Sequence, residues 1–219
     1  MQHSPRIPAP PRDRRRRYLT AAERRGEIIE AAIAEFSARG YTETTMAGIA
    51  RRAGLSKSGL YAHYRGKQAI FEAALTQVLI PPESADSRWW QTGTTASAAT
   101  LLRRYVDLLY AHLGTAQGAT LLRLAIGTGH AVPSLLQAWY ARVMHQYLRR
   151  EQAAVDALVR RGVFRRCALS RHFRMAAAPL LMWLDLHLSV ADAEPMTLAA
   201  AKRFHYRFLV ETLAPPEAR

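Results

Sequence analysis

Between Arg51 and Gln68 the chain reads RRAGLSKSGLYAHYRGKQ, and the side chains there that can do chemistry are hydrogen-bond donors and cations: Lys57, Ser58, Tyr61, His63 and Lys67 among them. No Asp or Glu lies between Arg51 and Lys67, whereas an ordinary solvated surface mixes both signs. Short or planar donors without carboxylates suit the binding of an anion. The whole chain leans the same way: 31 Lys and Arg against 17 Asp and Glu give a formal net charge of +14 over 219 residues. Such an excess favours nucleic acid, an acidic membrane or an acidic protein.

Other chemistries lack their residues. There is no G-x-S-x-G elbow, Gly-rich phosphate loop or paired carboxylate motif, so no catalytic residues are assigned and the chain is not expected to be an enzyme. His112, His130, His145, His172, His187 and His205 form no i, i+4 pair or His-Glu motif, so neither a metal nor a cofactor is expected. The single cysteine, Cys167, excludes a disulfide framework and a thiolate zinc site within the chain, leaving a buried inert thiol or a redox group. The longest apolar run, near Met175 to Leu184, is cut by Asp185 and is too short to span a bilayer. No apolar signal segment opens the chain, so a cytoplasmic protein with no membrane partner is expected.

Positioning the donors falls to short helices. Residues 1–18 are rich in Pro and Arg, without periodicity, and read as a disordered basic arm: a solvated tail, or one that tracks phosphates or a minor groove. Thr20 and Glu23 form a capping-box pattern, Ile28, Ile29, Ala32, Ile33 and Phe36 make one helical stripe, and Gly40 closes it. Thr44 or Thr45 starts a second helix that ends at Gly54. Ser56 or Lys57 starts a third, with Leu60 and Tyr64 inward. Gly66 breaks the chain, and a fourth helix runs to Pro81-Pro82. Two short helices on a tight Gly-containing turn, braced by a longer one, form a helix-turn-helix, whose second helix can enter the major groove of DNA.

The string Thr-x3-Ile-Ala-x2-Ala-Gly-Leu-Ser-Lys-x2-Leu-Tyr-x-His-Tyr-x2-Lys, Thr45 to Lys67, resembles the TetR/AcrR family of bacterial transcriptional regulators, and the resemblance runs from about Ala22 to Leu75. It implies a DNA-binding set of Thr45, Ser56, Lys57, Ser58, Gly59, Tyr61, His63 and Lys67. Thr45 would cap its helix and touch a phosphate, Tyr61 and Lys67 would hold phosphates, and Lys57 would donate to guanine O6 or N7. Ser58 and His63 would meet backbone or nearby bases, while Gly59 leaves room for close approach. Two departures narrow the direct readout: Ala47 and Gly48 offer no side-chain donor early in the second helix, and position 62 is Ala, where some members carry a larger aromatic.

The remaining chain reads as helices over roughly 97–113, 118–129, 133–161, 170–190 and 197–213, after a polar loop containing Trp89 and Trp90. The class is all-α: basic arm 1–18, helix-turn-helix head 19–66, connecting helix 67–80, and a helical effector-binding and dimerisation domain 81–219. The resemblance places a small-molecule pocket among the middle helices, whose inner faces offer Tyr105, Leu109, Tyr110, His112, Leu121, Leu124, Trp139, Tyr140, Met144 and Trp183. A hydrophobic or amphipathic effector would suit them. The last two helices, apolar over more than one face, are expected to pair with a second subunit through Met175, Ala178, Met182, Ala201, Phe204 and Phe208. Together these imply a ligand-responsive regulator, most often a repressor in the family, that binds a palindromic operator in double-stranded DNA as a homodimer. The alternative is a DNA-binding structural or protein-interaction factor without an effector.

Overall fold

The computed structural model describes residues 20–81, 90, 96–189 and 196–216, so the basic arm, Trp89 and Pro195 lie outside the described residues. Every element among the described residues is helical. Helix α1 (Ala21–Glu43) starts on a complete capping box: the Glu23 amide donates to Thr20 Oγ1 at 3.2 Å and the Thr20 amide donates to Glu23 Oε2 at 2.7 Å. Gly40 kinks it near its end at φ +74°. Helix α2 (Met46–Arg52) is capped by Thr45, whose Oγ1 accepts the Gly48 amide at 3.1 Å.

The turn into α3 (Lys57–Tyr61) rests on Gly54 at φ +65°, a left-handed conformation that L side chains adopt only with strain. Across it the Leu55 amide donates to Ala50 O at 2.9 Å and the Gly54 amide to Arg51 O at 3.2 Å, which satisfies the carbonyls that α2 would otherwise leave open. Ser56 caps α3, accepting the Gly59 amide at 3.0 Å. Helix α4 (Lys67–Leu79) follows. The fully buried Ile28, Phe36, Ile49, Leu60, Ile70, Phe71 and Leu75 bind the four helices into one head, with Phe36, Tyr41 and Phe71 in mutual ring contact.

Helices α5 (Ala98–His112) and α6 (Ala116–Ala131) come next, and α6 packs on both α1 and α4. The single helix expected over 133–161 is instead three pieces: α7 (Pro133–Trp139), a π-helical turn (Tyr140–Met144) and α8 (His145–Arg160). The helix expected over 170–190 is also divided, into α9 (Ala168–Arg171), a 3-10 segment (Phe173–Ala177) and α10 (Ala178–Ser189). Pro179 accounts for the second break, because its ring lacks an N–H and would clash with the carbonyl four residues back in a continuous helix. Helix α11 (Leu198–Leu213), capped by Thr197, packs on α5 and α10. Trp90, which the sequence places in a polar loop, is buried: it stacks on Tyr105 and meets Phe164 and Phe173 edge-on, and its Nε1 donates to the buried Glu151 at 3.0 Å.

Candidate nucleic-acid interface

Helices α2 and α3 with their caps expose a series of mostly polar side chains. Thr45, Arg51, Arg52, Ser56, Lys57, Ser58, Tyr61 and Ala62 are exposed, while Leu60 between them is fully buried. Tyr61 is 46% exposed although its ring is large and apolar, so its phenol stands on the surface rather than in the core. Helix α3 is only five residues long, and His63 sits half-buried just past its end, not on it. Thr45 and Ser56 accept amide protons as caps and keep their own hydroxyl protons as donors. Ser58 lies 3.1 Å from Ser56, oxygen to oxygen.

Two members of the expected set have internal tasks instead. Lys67 Nζ donates to the carbonyls of Tyr41, Thr42 and Thr44 at 2.9, 2.7 and 3.0 Å and lies 4.8 Å from the centre of the Tyr41 ring. An ammonium has three donors. All three are taken, so Lys67 clamps the end of α1 to the start of α4 and has none left over for a phosphate. At Gly59 a Cβ would stand 3.1 Å from Ser56 Oγ, so the glycine first of all accommodates the helix cap.

Glu35 is a residue that sequence reasoning missed. It is buried on α1, and its carboxylate accepts from Arg52 Nε at 2.9 Å and forms an ion pair with Arg39 at 3.1 Å. The Arg52 hydrogen bond holds its carboxyl below the usual range against the opposing effect of burial. Gly48 makes room for it, since a Cβ there would lie 2.7 Å from Glu35 Oε1. The side chain absent from the early part of α2 is therefore the space that a buried carboxylate occupies. Glu35 in turn fixes the guanidinium of Arg52, which borders the exposed face. Its i, i+4 spacing to Arg39 was visible in the sequence, but its burial was not.

A cavity of about 340 Å3 lies among the middle helices. Five of the expected ligand residues line it: Tyr105, Leu109, Trp139, Tyr140 and Met144. Tyr110, His112, Leu121, Leu124 and Trp183 do not. Tyr110 packs beside His205 of α11, and burial pushes its phenol up to about 12. His112 meets Gln77 O at 3.0 Å, and Leu121 is buried in the general core. Leu124 borders a cleft beside Arg39 and Tyr41 instead. Trp183 donates to Met196 O at 2.6 Å and stacks on His187, closing the connection from α10 to α11. Leu79, Leu122, Tyr147, Glu151 and Phe173, which the sequence did not mark, complete much of the wall.

Of the expected pairing residues, Met175, Met182, Phe204 and Phe208 are exposed by 55, 61, 55 and 37%, and the two Phe rings stack on each other. Ala178 is half-buried, and Ala201 is buried at 3% in the chain's own core, facing inward from α11. Ala201 is therefore not part of an outer face. Leu186 joins the exposed apolar set.

Comparison with known proteins relates these features to a family. Residues 28–74 match the model of bacterial regulatory proteins of the tetR family. The HTH-type transcriptional regulator SrpR of Pseudomonas putida is 32% identical over 88 residues, 37% of this chain and 41% of that protein. TtgW, an HTH-type transcriptional regulator also of Pseudomonas putida, is 32% identical over 88 residues, 37% of this chain and 66% of its own. The chain thus spans less than two thirds of the length of each. Among solved structures, a TetR family regulator from Pseudomonas syringae pv. tomato is 22% identical with a TM-score of 0.66, covering 89% of this chain and 98% of that one. SmeT, repressor of the Stenotrophomonas maltophilia efflux pump SmeDEF, in complex with triclosan, is 20% identical with a TM-score of 0.67, over 90% and 94% of the two chains. A Saccharomonospora viridis protein in complex with choline is 18% identical with a TM-score of 0.63, over 89% and 99%. An acid-free helix-turn-helix face thus sits in the segment, residues 28–74, that matches the tetR family model, on a helical fold that these solved structures share.

Proposed function

We propose that the protein is a ligand-responsive repressor that binds a palindromic operator as a homodimer. The observation that carries this reading is the exposure of Thr45, Arg51, Arg52, Lys57, Ser58 and Tyr61 along α2, α3 and their caps, a stretch with no carboxylate of its own, where only Glu35 reaches Arg52 from α1. Lys57 is the base-edge donor, and Thr45, Ser58 and Tyr61 hold phosphates and set register. Residues 19–66 act as the head and 67–80 as the connecting helix. Residues 81–219 hold the effector and the second subunit, and the basic arm adds charge beside the operator.

The aromatic-walled cavity of about 340 Å3 supports an effector that is small and hydrophobic or amphipathic. Triclosan and choline, seen with structural neighbours, are molecules of that size range. The cavity also favours this reading over a DNA-binding factor without an effector, for which a collapsed core would be the expectation. Such a regulator works in the cytoplasm, on the nucleoid when bound to DNA.

The test is binding to labelled duplex from upstream of the protein's own gene, at two salt concentrations and against an unrelated duplex. Tight, salt-sensitive binding confined to a near-palindrome is expected, weakened by about 1–3 kcal/mol in Lys57→Ala and lost or reduced uniformly in Tyr61→Ala. Equal binding to all duplexes, unchanged in both variants, would sink it.

A further inference from the structure

The chain is strongly basic, yet the charged side chain buried in the cavity wall is a carboxylate. Glu151 lines the cavity from α8 and is only 4% exposed. Arg174, the other charged lining residue among those described, is exposed to solvent, where water and salt screen it.

Aromatic rings surround that carboxylate. Trp90 donates its Nε1 proton to Glu151 Oε2 at 3.0 Å. Tyr105 stacks on Trp90 with ring centres 5.7 Å apart, and Phe173 meets both, at 5.4 Å from Trp90 and 5.1 Å from Tyr105. Tyr147 stands one helical turn before Glu151 on α8 and lines the same cavity. Burial pushes the Tyr105 phenol well above its ordinary value, and Tyr147 and Glu151 add to the effect, so the three side chains are electrostatic neighbours.

Holding Trp90 does not require a charge. A glutamine would accept the same indole proton through its neutral amide oxygen, without the cost of burying an ion. What a carboxylate adds, and an amide lacks, is attraction for a cation. The rings act in the same sense, because an aromatic face presents negative charge to a cation placed over it. Low local dielectric strengthens both attractions. A net charge of +14 repels cations from the chain at large, so a cation needs such a local site to bind at all.

We propose that the cavity takes a lipophilic monocation, a quaternary ammonium or protonated amine on an apolar frame, with Glu151 opposing its charge and Tyr105, Tyr147 and Phe173 covering its flanks. This names the effector class for the ligand-responsive reading above and rests on that reading for its regulatory role. The volume of about 340 Å3 admits a cation built on a single ring. A neutral molecule of the same shape fills the same space but gains nothing from the carboxylate, and an anion is repelled by it.

The experiment uses two probes that differ only in charge, phenyltrimethylammonium and tert-butylbenzene, whose heads are a nitrogen cation and a carbon bearing the same three methyl groups. Equilibrium dialysis against the full chain gives both affinities, for wild type, Glu151→Gln and Tyr147→Leu, with a melting curve for each. Wild type should bind the cation roughly 10-fold or more tighter than its isostere. Glu151→Gln should bring the two within about 2-fold of each other by weakening the cation alone, and Tyr147→Leu should lower the cation's preference by about 3-fold. A carboxylate that merely holds Trp90 would leave the ratio unmoved in Glu151→Gln. Should that variant fold poorly, the wild-type ratio and its fall in Tyr147→Leu still decide. A wild type that binds both probes alike, or neither, overturns the assignment, as does a preference that survives both substitutions. Operator affinity under saturating probe separates this from the reading beneath it. A cation that binds through Glu151 and weakens operator binding by roughly 5-fold supports both. One that binds so and leaves operator affinity unchanged sinks the regulatory role and leaves the site standing. If the isostere binds as well as the cation and releases operator, the ligand-responsive reading stands and the cation site falls.

Discussion

At the scale of residues, two lysines ten positions apart illustrate how one cation type serves two ends. Lys57 is exposed on α3 and faces outward, whereas Lys67 has its ammonium among three carbonyls at the end of α1. Replacing Lys67 with Met leaves those carbonyls without their charged donor and should destabilise the fold by about 1.5–3 kcal/mol. Lys57→Ala removes an exposed side chain with no such bonds and should change stability by less than about 0.5 kcal/mol. Thermal melts of the two variants, read beside their DNA affinities, check this. A Lys67→Met protein as stable as wild type would return Lys67 to the phosphate-binding set that the sequence motif implies. Nothing in the spacing of the motif separates the two roles, because the difference is made by carbonyls more than 20 residues away.

Elements were legible in the sequence wherever their boundaries are local. Thr20 with Glu23, Thr45, Gly54 and Ser56 each act within a few residues of themselves, and each stands where the sequence puts it. Gly54→Ala should cost about 1–2 kcal/mol, since Cβ is disfavoured at φ +65°, and a denaturant midpoint measures it. The π turn at Tyr140–Met144 was not legible, since no glycine or proline marks it, whereas the division of 170–190 follows Pro179, a signal that the apolar run around it masked. Tyr110, His112, Leu121 and Trp183 failed as cavity residues for a related reason. Apolar and aromatic side chains at helical spacing look the same whether they face a cavity, a neighbouring helix or a connection.

One inter-element contact carries a pH dependence. His205 of α11 is fully buried, and its Nε2 lies 2.7 Å from Ala176 O in the 3-10 segment, which fixes that nitrogen as the protonated one. Its Nδ1, like the Tyr110 hydroxyl, has no hydrogen-bond partner among the described residues. Burial pushes the imidazole below its ordinary value of 6.5, opposed by the bond to Ala176. The unfolded chain therefore binds a proton at a higher pH than the folded one. Stability is full above pH 6.5 and declines as pH falls from there through the lowered folded-state value, below which the loss is complete. His205→Gln, which keeps a donor for Ala176 O, should flatten this decline between about pH 7 and 5 in denaturant titrations. An unchanged slope would show that other groups cause it.

The whole molecule poses the question of what covers α10 and α11. Met182 and Leu186 of α10 and Phe204 and Phe208 of α11 are exposed apolar side chains on two helices that pack on each other. Contiguous apolar surface of that kind marks an interaction site in a soluble protein. A second copy of the chain is the occupant that fits the proposed function, because a two-fold axis through this face would carry two heads to the two halves of a palindrome. Two substitutions on α11 separate this face from the chain's own core. Phe204→Arg puts a charge on the outer face and should leave the fold stable while shifting the protein to monomer. Operator binding should weaken with it, by far more than a surface change in the head alone would cause. Ala201→Leu adds bulk on the inner face, where Ala201 is 3% exposed, and should instead destabilise the protomer by about 1–3 kcal/mol. Sedimentation of both variants across a range of concentrations, alongside their melting curves, decides the matter. A wild type that sediments as a monomer, or a Phe204→Arg dimer as tight as wild type, would move the interface elsewhere and leave the exposed Phe pair for a different partner.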